Sequence, residues 1–79
     1  MLPAPPQIDP EQARHWLRVI FDAKAAQTGG VVRRSIKWVD HEVGRDRLIE
    51  EVRRRDFRML ECGGQFVIIC APGSVRMVV

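Results

Sequence analysis

Two turns written into the last third of this 79-residue chain constrain its fold more than any other feature. Cys62-Gly63-Gly64-Gln65 is a two-residue Gly-Gly hairpin signal, and Ala71-Pro72-Gly73-Ser74 is a second turn. Between and around them the residues alternate, so the expected structure is a three-stranded antiparallel meander over residues 57–79. Side chains in a strand point to opposite faces with a period of two, and the turns therefore sort every residue onto one face or the other. One face collects Phe57, Met59, Phe66, Ile68, Cys70, Val75, Met77 and Val79, with Glu61 the single intruder. It reads as a core face. The opposite face collects Arg58, Leu60, Cys62, Gln65, Val67, Ile69, Arg76 and Val78. That second face is too apolar for solvent and too charged for a core.

Upstream of the meander the chain reads as helical. Residues 1–8, with Pro3, Pro5 and Pro6, form a tail expected to be disordered, and residues 9–79 a single small α+β domain. Asp9 suits a helix N-cap, Pro10 the first turn, and Gln12 the reciprocal position of a capping box. Ala13, Trp16, Leu17, Ile20, Phe21 and Ala23 follow at helical spacing, and Gly29-Gly30 supplies the stop. Residues 31–43 fit two templates. Val32, Ile36, Val39 and Val43 recur at helical spacing with Gly44 as terminator, and the expectation is a helix. The alternative makes residues 31–38 a strand, giving an αβαβββ order with a four-stranded sheet. Asp46 then caps a third helix over residues 47–55, buried through Leu48, Ile49 and Val52. The expected fold is thus α+β: three helices followed by a three-stranded antiparallel meander, with the helices on one face of the sheet.

Composition excludes several function classes. Residues 1–8 lack the basic start and apolar run of a secretory leader, so no such signal is expected, and the longest apolar run, residues 66–71, is far too short to cross a bilayer. Two cysteines on opposite faces of a sheet do not pair readily, and free thiols suit a reducing compartment, so a cytoplasmic protein without membrane association is expected. Cys62 and Cys70 lack the CxxC spacing and nearby histidines of a zinc site, and no cofactor motif is present. His15 and His41 fall on the polar sides of their helices with no nucleophile or orienting carboxylate beside them. No catalytic constellation is recognisable, and a non-enzymatic protein is expected.

The net charge of +3 is unevenly placed. Nine of the thirteen basic residues lie within residues 33–58, but six acids share that stretch, leaving a local excess of only three charges. Arg33, Arg34, Lys37, Arg45, Arg47, Arg53 and Arg54 are the candidate contacts for an anion or nucleic acid. Gly29-Gly30 ahead of Arg33 and Arg34 suggests an anion site at a helix start, although it matches neither phosphate-loop nor dinucleotide spacing.

Three resemblances follow from these segments. A helix, Val43-Gly44-Arg45, a second helix and a β-hairpin together resemble a winged helix-turn-helix, which implies DNA contact through the second helix. That family has apolar residues where this chain has Arg45, Glu50 and Arg53. Residues 48–70 resemble the HicA toxin family, which has a double-stranded-RNA-binding-like fold. The histidine that serves ribonuclease activity in that family is replaced here by Gln65, so the resemblance implies RNA contact at most. Gly30-Val31-Val32-Arg33-Arg34, Val43-Gly44-Arg45, Glu51-Val52-Arg53-Arg54-Arg55 with Phe57, and Gln65-Phe66-Val67-Ile68-Ile69-Cys70 are similar to a group of short bacterial proteins of uncharacterised function. Some of those carry the label phosphoribosylanthranilate isomerase. The eight-stranded barrel of that enzyme needs roughly 200 residues, so no site is transferred from the label.

The half-apolar sheet face carries the functional expectation. Leu60, Val67, Ile69 and Val78 form an apolar patch rimmed by Arg58 and Arg76. Either the first helix or the N-terminal tail covers it, or a partner does. The expected function is a small interaction or regulatory module that self-associates, as a homodimer or with another protein, through this face or the edge strand. The alternative is a nucleic-acid-binding regulator using the basic residues above.

Overall fold

The computed structural model describes residues 8–79. Asp9 caps helix α1 (Pro10–Asp22) by accepting the Glu11 N–H at 3.0 Å, and Pro10 occupies the first turn. Gln12 does not close a capping box. Its side-chain amide donates instead to the Glu42 carboxylate, tying the first helix to a later one. The chain bends at Ala23 into a single turn, α2 (Lys24–Gln27), before Gly29-Gly30.

The segment with two readings is divided between them. β1 (Val31–Ser35) is a strand, and α3 (Ile36–Glu42) follows without a gap. Neither a helix over residues 31–43 nor a strand over residues 31–38 forms. Two β-branched residues followed by two arginines suit a strand better than the positive end of a helix dipole. Ser35 marks the change, its hydroxyl accepting the Trp38 N–H at 3.3 Å as an N-cap. Gly44, at φ +94°, then turns the chain into α4 (Arg45–Arg54). Asp46 therefore lies in the first turn of α4 instead of capping it, and that cap has no side-chain hydrogen bond.

The hairpin forms at the expected turn: β2 (Arg58–Cys62) and β3 (Gln65–Ile69) flank Gly63 and Gly64, whose φ values of +56° and +79° suit a two-residue loop. The third strand is not where the meander placed it. Residues 74–79 form no strand, and the sheet order is β1-β3-β2, all antiparallel. β3 has only two edges. With β2 on one and β1 on the other, nothing remains for the chain end to pair with on this strand. The fold is α+β with a three-stranded antiparallel sheet, as expected in outline, but with four helical segments among the described residues and a different strand order.

One core joins these elements. Ile20, Phe21 and Ala26 meet Val32, Val39, Val43, Leu48 and Val52 over Phe66, Ile68 and Cys70 of the sheet. Trp16 of α1 packs edge-on against Trp38 of α3, with ring centroids 5.1 Å apart. The helices thus cover the inner sheet face only. Most of the disordered tail expected at residues 1–8 lies outside the described residues, but Ile8 is half-buried and its carbonyl faces the Arg47 guanidinium.

Helix α4 ends in a Schellman arrangement with an unusual residue. The Asp56 N–H donates to the Arg53 carbonyl and the Phe57 N–H to the Val52 carbonyl, each at 3.0 Å. Asp56 sits at the left-handed position, φ +57°, where glycine carries no Cβ penalty. Its exposed pair with Arg58, at 3.2 Å, offsets little of that strain. Asp56→Gly is expected to stabilise the fold by about 1 kcal/mol, read as a higher urea midpoint with unchanged slope; a lower midpoint contradicts this account.

Candidate interaction surface

The pairing register places nine side chains on the sheet face away from the helices. Val31, Ile69 and Arg58 form one row across the three strands. Arg33, Val67 and Leu60 form the next, and Ser35, Gln65 and Cys62 the last. The intervening rows, Val32-Ile68-Met59 and Arg34-Phe66-Glu61, face the helices, and Val32, Ile68 and Phe66 are buried there. Among the described residues, no helix lies over the outer rows. Val31 is 48% exposed and Leu60 38%, while Val67 and Ile69 are half-buried. A groove of about 360 Å³ runs over this face between Leu60, Cys62, Gln65 and Val67, with Arg33, Glu61 and Met77 at its sides.

Leu60, Val67, Ile69 and Arg58 therefore come together as the turn register implies. Arg76 and Val78 do not join them, because residues 74–79 are not part of the sheet; Val78 is 87% exposed. Val75, Met77 and Val79, expected on the core face, are exposed as well. Two members of the patch were missed. Val31 and Arg33 enter it through β1, and the strand-like alternation of Val31-Val32-Arg33-Arg34 is the signal that places them. Cys62 lies on this outer face and is exposed, whereas Cys70 is buried on the other side. Burial pushes the Cys70 thiol pKa up, so its reactive thiolate is disfavoured.

The seven basic candidates do not form one patch. Arg33 belongs to the outer sheet face and Arg34 to the inner one, where its guanidinium donates to the Arg33 carbonyl at 2.7 Å. Lys37 is exposed on α3. Arg45 spans the turn between α3 and α4, donating to both Asp40 carboxylate oxygens at 3.2 and 3.0 Å with its guanidinium 5.2 Å from the Phe66 ring centroid. The hydrogen bond to Asp40, and then that carboxylate's charge, raise the Arg45 pKa further. Arg47 reaches toward the Ile8 carbonyl, and Arg53 is exposed among Ile49, Phe57 and Arg58. Arg54 is held by Glu51.

α4 buries Leu48 and Val52 and leaves Glu50 and Arg53 exposed. The Arg45 guanidinium, tied to Asp40, lies over the Phe66 ring and shields it from solvent. The solvent side of α4 carries Asp46 and Glu50 among Arg47, Arg53 and Arg54.

His15 is exposed and packs edge-on against Trp16, and His41 is exposed on α3. Among the described residues, no three His, Cys, Asp or Glu side chains group as metal ligands would. Among the described residues, no helix is long and apolar enough to cross a membrane. Comparison of the chain with protein-family models, curated proteins and solved structures returns no match.

A second feature lies between α1 and α4. Glu51, whose side chain is 17% exposed, accepts from Arg54 at 2.5 Å and Arg55 at 2.8 Å, and Arg55 stacks 4.5 Å over the Phe21 ring. The hydrogen bond from Arg54, seconded by Arg55, holds the Glu51 carboxylate below the usual range against the opposing effect of burial. A carboxylate with a depressed folded pKa contributes stability above its unfolded pKa and loses it as the pH falls through the folded one. The stability gap between wild type and Glu51→Gln is therefore expected to be full at neutral pH and to close below about pH 4.5. Urea titrations across that range check it; a gap independent of pH removes the ion pair from the account.

Proposed function

We propose that this chain is a small non-enzymatic interaction module that self-associates through the outer face of its sheet. The observation that carries the reading is the cluster of Val31, Leu60, Val67 and Ile69 on a face no helix covers, between Arg33 and Arg58. Apolar clusters of this kind mark interfaces more often than solvated surface. Covering four such side chains is worth on the order of 5–10 kcal/mol before ordering costs. The outer edges of β1 and β2, neither paired in the sheet, offer a second means of association by strand addition.

Light scattering coupled to size exclusion tests the reading. A concentration-dependent dimer is expected, and Ile69→Lys, which sets an ammonium in the middle of the patch, is expected to abolish it while leaving the helical circular dichroism intact. A strict monomer at high micromolar concentration, unchanged by Ile69→Lys, overturns it.

A second reading is nucleic-acid binding, and the order of elements favours it. A helix, a strand, a helix-turn-helix about Gly44 and a hairpin whose free edge takes the earlier strand resemble a winged helix-turn-helix. Fold likeness alone does not carry function. The mixed charge on the solvent side of α4 weighs against insertion into a groove, since Asp46 and Glu50 would lie against phosphates. Under this reading, generic duplex DNA or RNA binds with an affinity that falls steeply with salt and drops on Arg47→Ala and Arg53→Ala. An affinity flat with ionic strength, or no binding at low salt, removes it.

A further inference from the structure

The large apolar side chains left most exposed gather at one end of the chain. Among the described residues seven are conspicuously exposed, and four of these are Val75, Met77, Val78 and Val79. Met77 is 84% exposed and Val79 is fully so. Two of the other three, Val31 and Leu60, belong to the outer sheet face. One molecule thus presents two apolar surfaces that gain by being covered. They already touch, because Met77 stands at the side of the groove that Leu60, Cys62 and Val67 line.

Within one chain that contact recovers little, given how much of Met77 stays in water. Pressing two outer faces flat together is also poor. Their nine positions include Arg33 and Arg58 but no carboxylate, so four guanidiniums would be drawn toward a dry interface while their nearest carboxylates, Asp56 beside Arg58 and Glu61 beside Arg33, belong to neither face's nine positions. The terminal segment avoids this. Its residues alternate, with Val75, Met77 and Val79 of one parity and Ser74, Arg76 and Val78 of the other. Laid over the groove with Met77 inward, it turns Arg76 away from the sheet.

We propose that the outer sheet face of one copy is covered by residues 74–79 of a second copy, in a reciprocal exchange that seats Met77 beside Leu60 and Val67. The exchange rests on the outer face being a self-association surface, and it names what occupies that surface. Reciprocity gives a closed two-fold dimer, since each copy supplies one segment and one groove. Chain exchange of this kind needs no surface that the single chain lacks.

The test uses the full-length chain. Met77→Cys sets a thiol beside the exposed Cys62, and an equal mixture of light and heavy-isotope-labelled protein is oxidised mildly with oxidised glutathione after re-equilibration. The expected product is a dimer-sized, reductant-sensitive species in which peptide mapping finds Cys62 of one label joined to the introduced thiol of the other. A link only within monomer-sized protein, or none to Cys62, overturns the exchange. Met77→Asp in the unlabelled chain is expected to weaken the dimer at least about tenfold. A dimer indifferent to Met77→Asp but lost with Ile69→Lys overturns the exchange and leaves the outer face as the interface. A dimer indifferent to both, or no dimer at all, overturns the two together.

Discussion

Strand β3 is the member on which the rest of this structure depends. It pairs with β1 along one edge and β2 along the other, and the register of both pairings follows from its own five residues. Phe66 and Ile68 project toward the helices and are buried, supplying the floor on which α1, α3 and α4 pack. Val67 and Ile69 project the other way and form the centre of the outer face. A one-residue slip would exchange these pairs and put the core residues in water. The Gly63-Gly64 turn guards against that slip, because its two positive φ values suit a two-residue loop. The core and the proposed interface are therefore two sides of one register, and neither can be altered by a shift in pairing without the other.

The turn between α3 and α4 shows how a polar pair can serve a packing role. Gly44 reverses the chain at a φ that side-chain-bearing residues seldom adopt. Beyond it, Arg45 bridges back to Asp40 with two hydrogen bonds and spreads its guanidinium over Phe66. The pair is exposed enough that its net contribution as a salt bridge is small. Its geometric effect is larger, because it holds the start of α4 against both α3 and the central strand. Glu51 does similar work at the other end, holding Arg54 and Arg55 at the α1–α4 junction while Arg55 stacks on Phe21. Arginines that look in the sequence like a basic stripe are thus partly spent on joining elements of the fold.

The parts of this architecture that were legible in the sequence are those set by local chemistry. Asp9-Pro10 announces the first helix and Gly63-Gly64 the hairpin, and Arg58, Leu60, Val67 and Ile69 fall on one face as the turn implies. The misreadings arise where the outcome is decided by competition between distant segments. Val32, Ile36, Val39 and Val43 keep helical spacing because all four face the same core, yet Val32 reaches it from a strand, Ile36 and Val39 from α3, and Val43 from the C-cap of α3. Ser35 is the local sign of the change, as a capping residue that ends the Val31-Val32-Arg33-Arg34 run and accepts the Trp38 N–H. Residues 74–79 resemble a strand because they alternate and follow a turn. Whether they pair with β3 depends on a segment some forty residues earlier, and β1 holds that edge. Val31 and Arg33 were lost from the outer face, and Arg76 and Val78 wrongly added to it, through that one substitution of strands.

That substitution also bears on function. Had residues 74–79 completed the sheet, their apolar side chains would have divided between the core and the outer face, leaving a modest patch behind. With β1 in that place, the segment keeps its alternation and apolar content but has no partner in its own sheet. Aliphatic side chains in water favour any arrangement that removes them. An arrangement that joins the segment to the outer face removes both exposed surfaces in one step, and it leaves the solvent side of α4 untouched. The proposed self-association through the sheet and the alternative contact through α4 would therefore draw on opposite sides of the molecule, and a dimer formed at the sheet would present two copies of α4 at once.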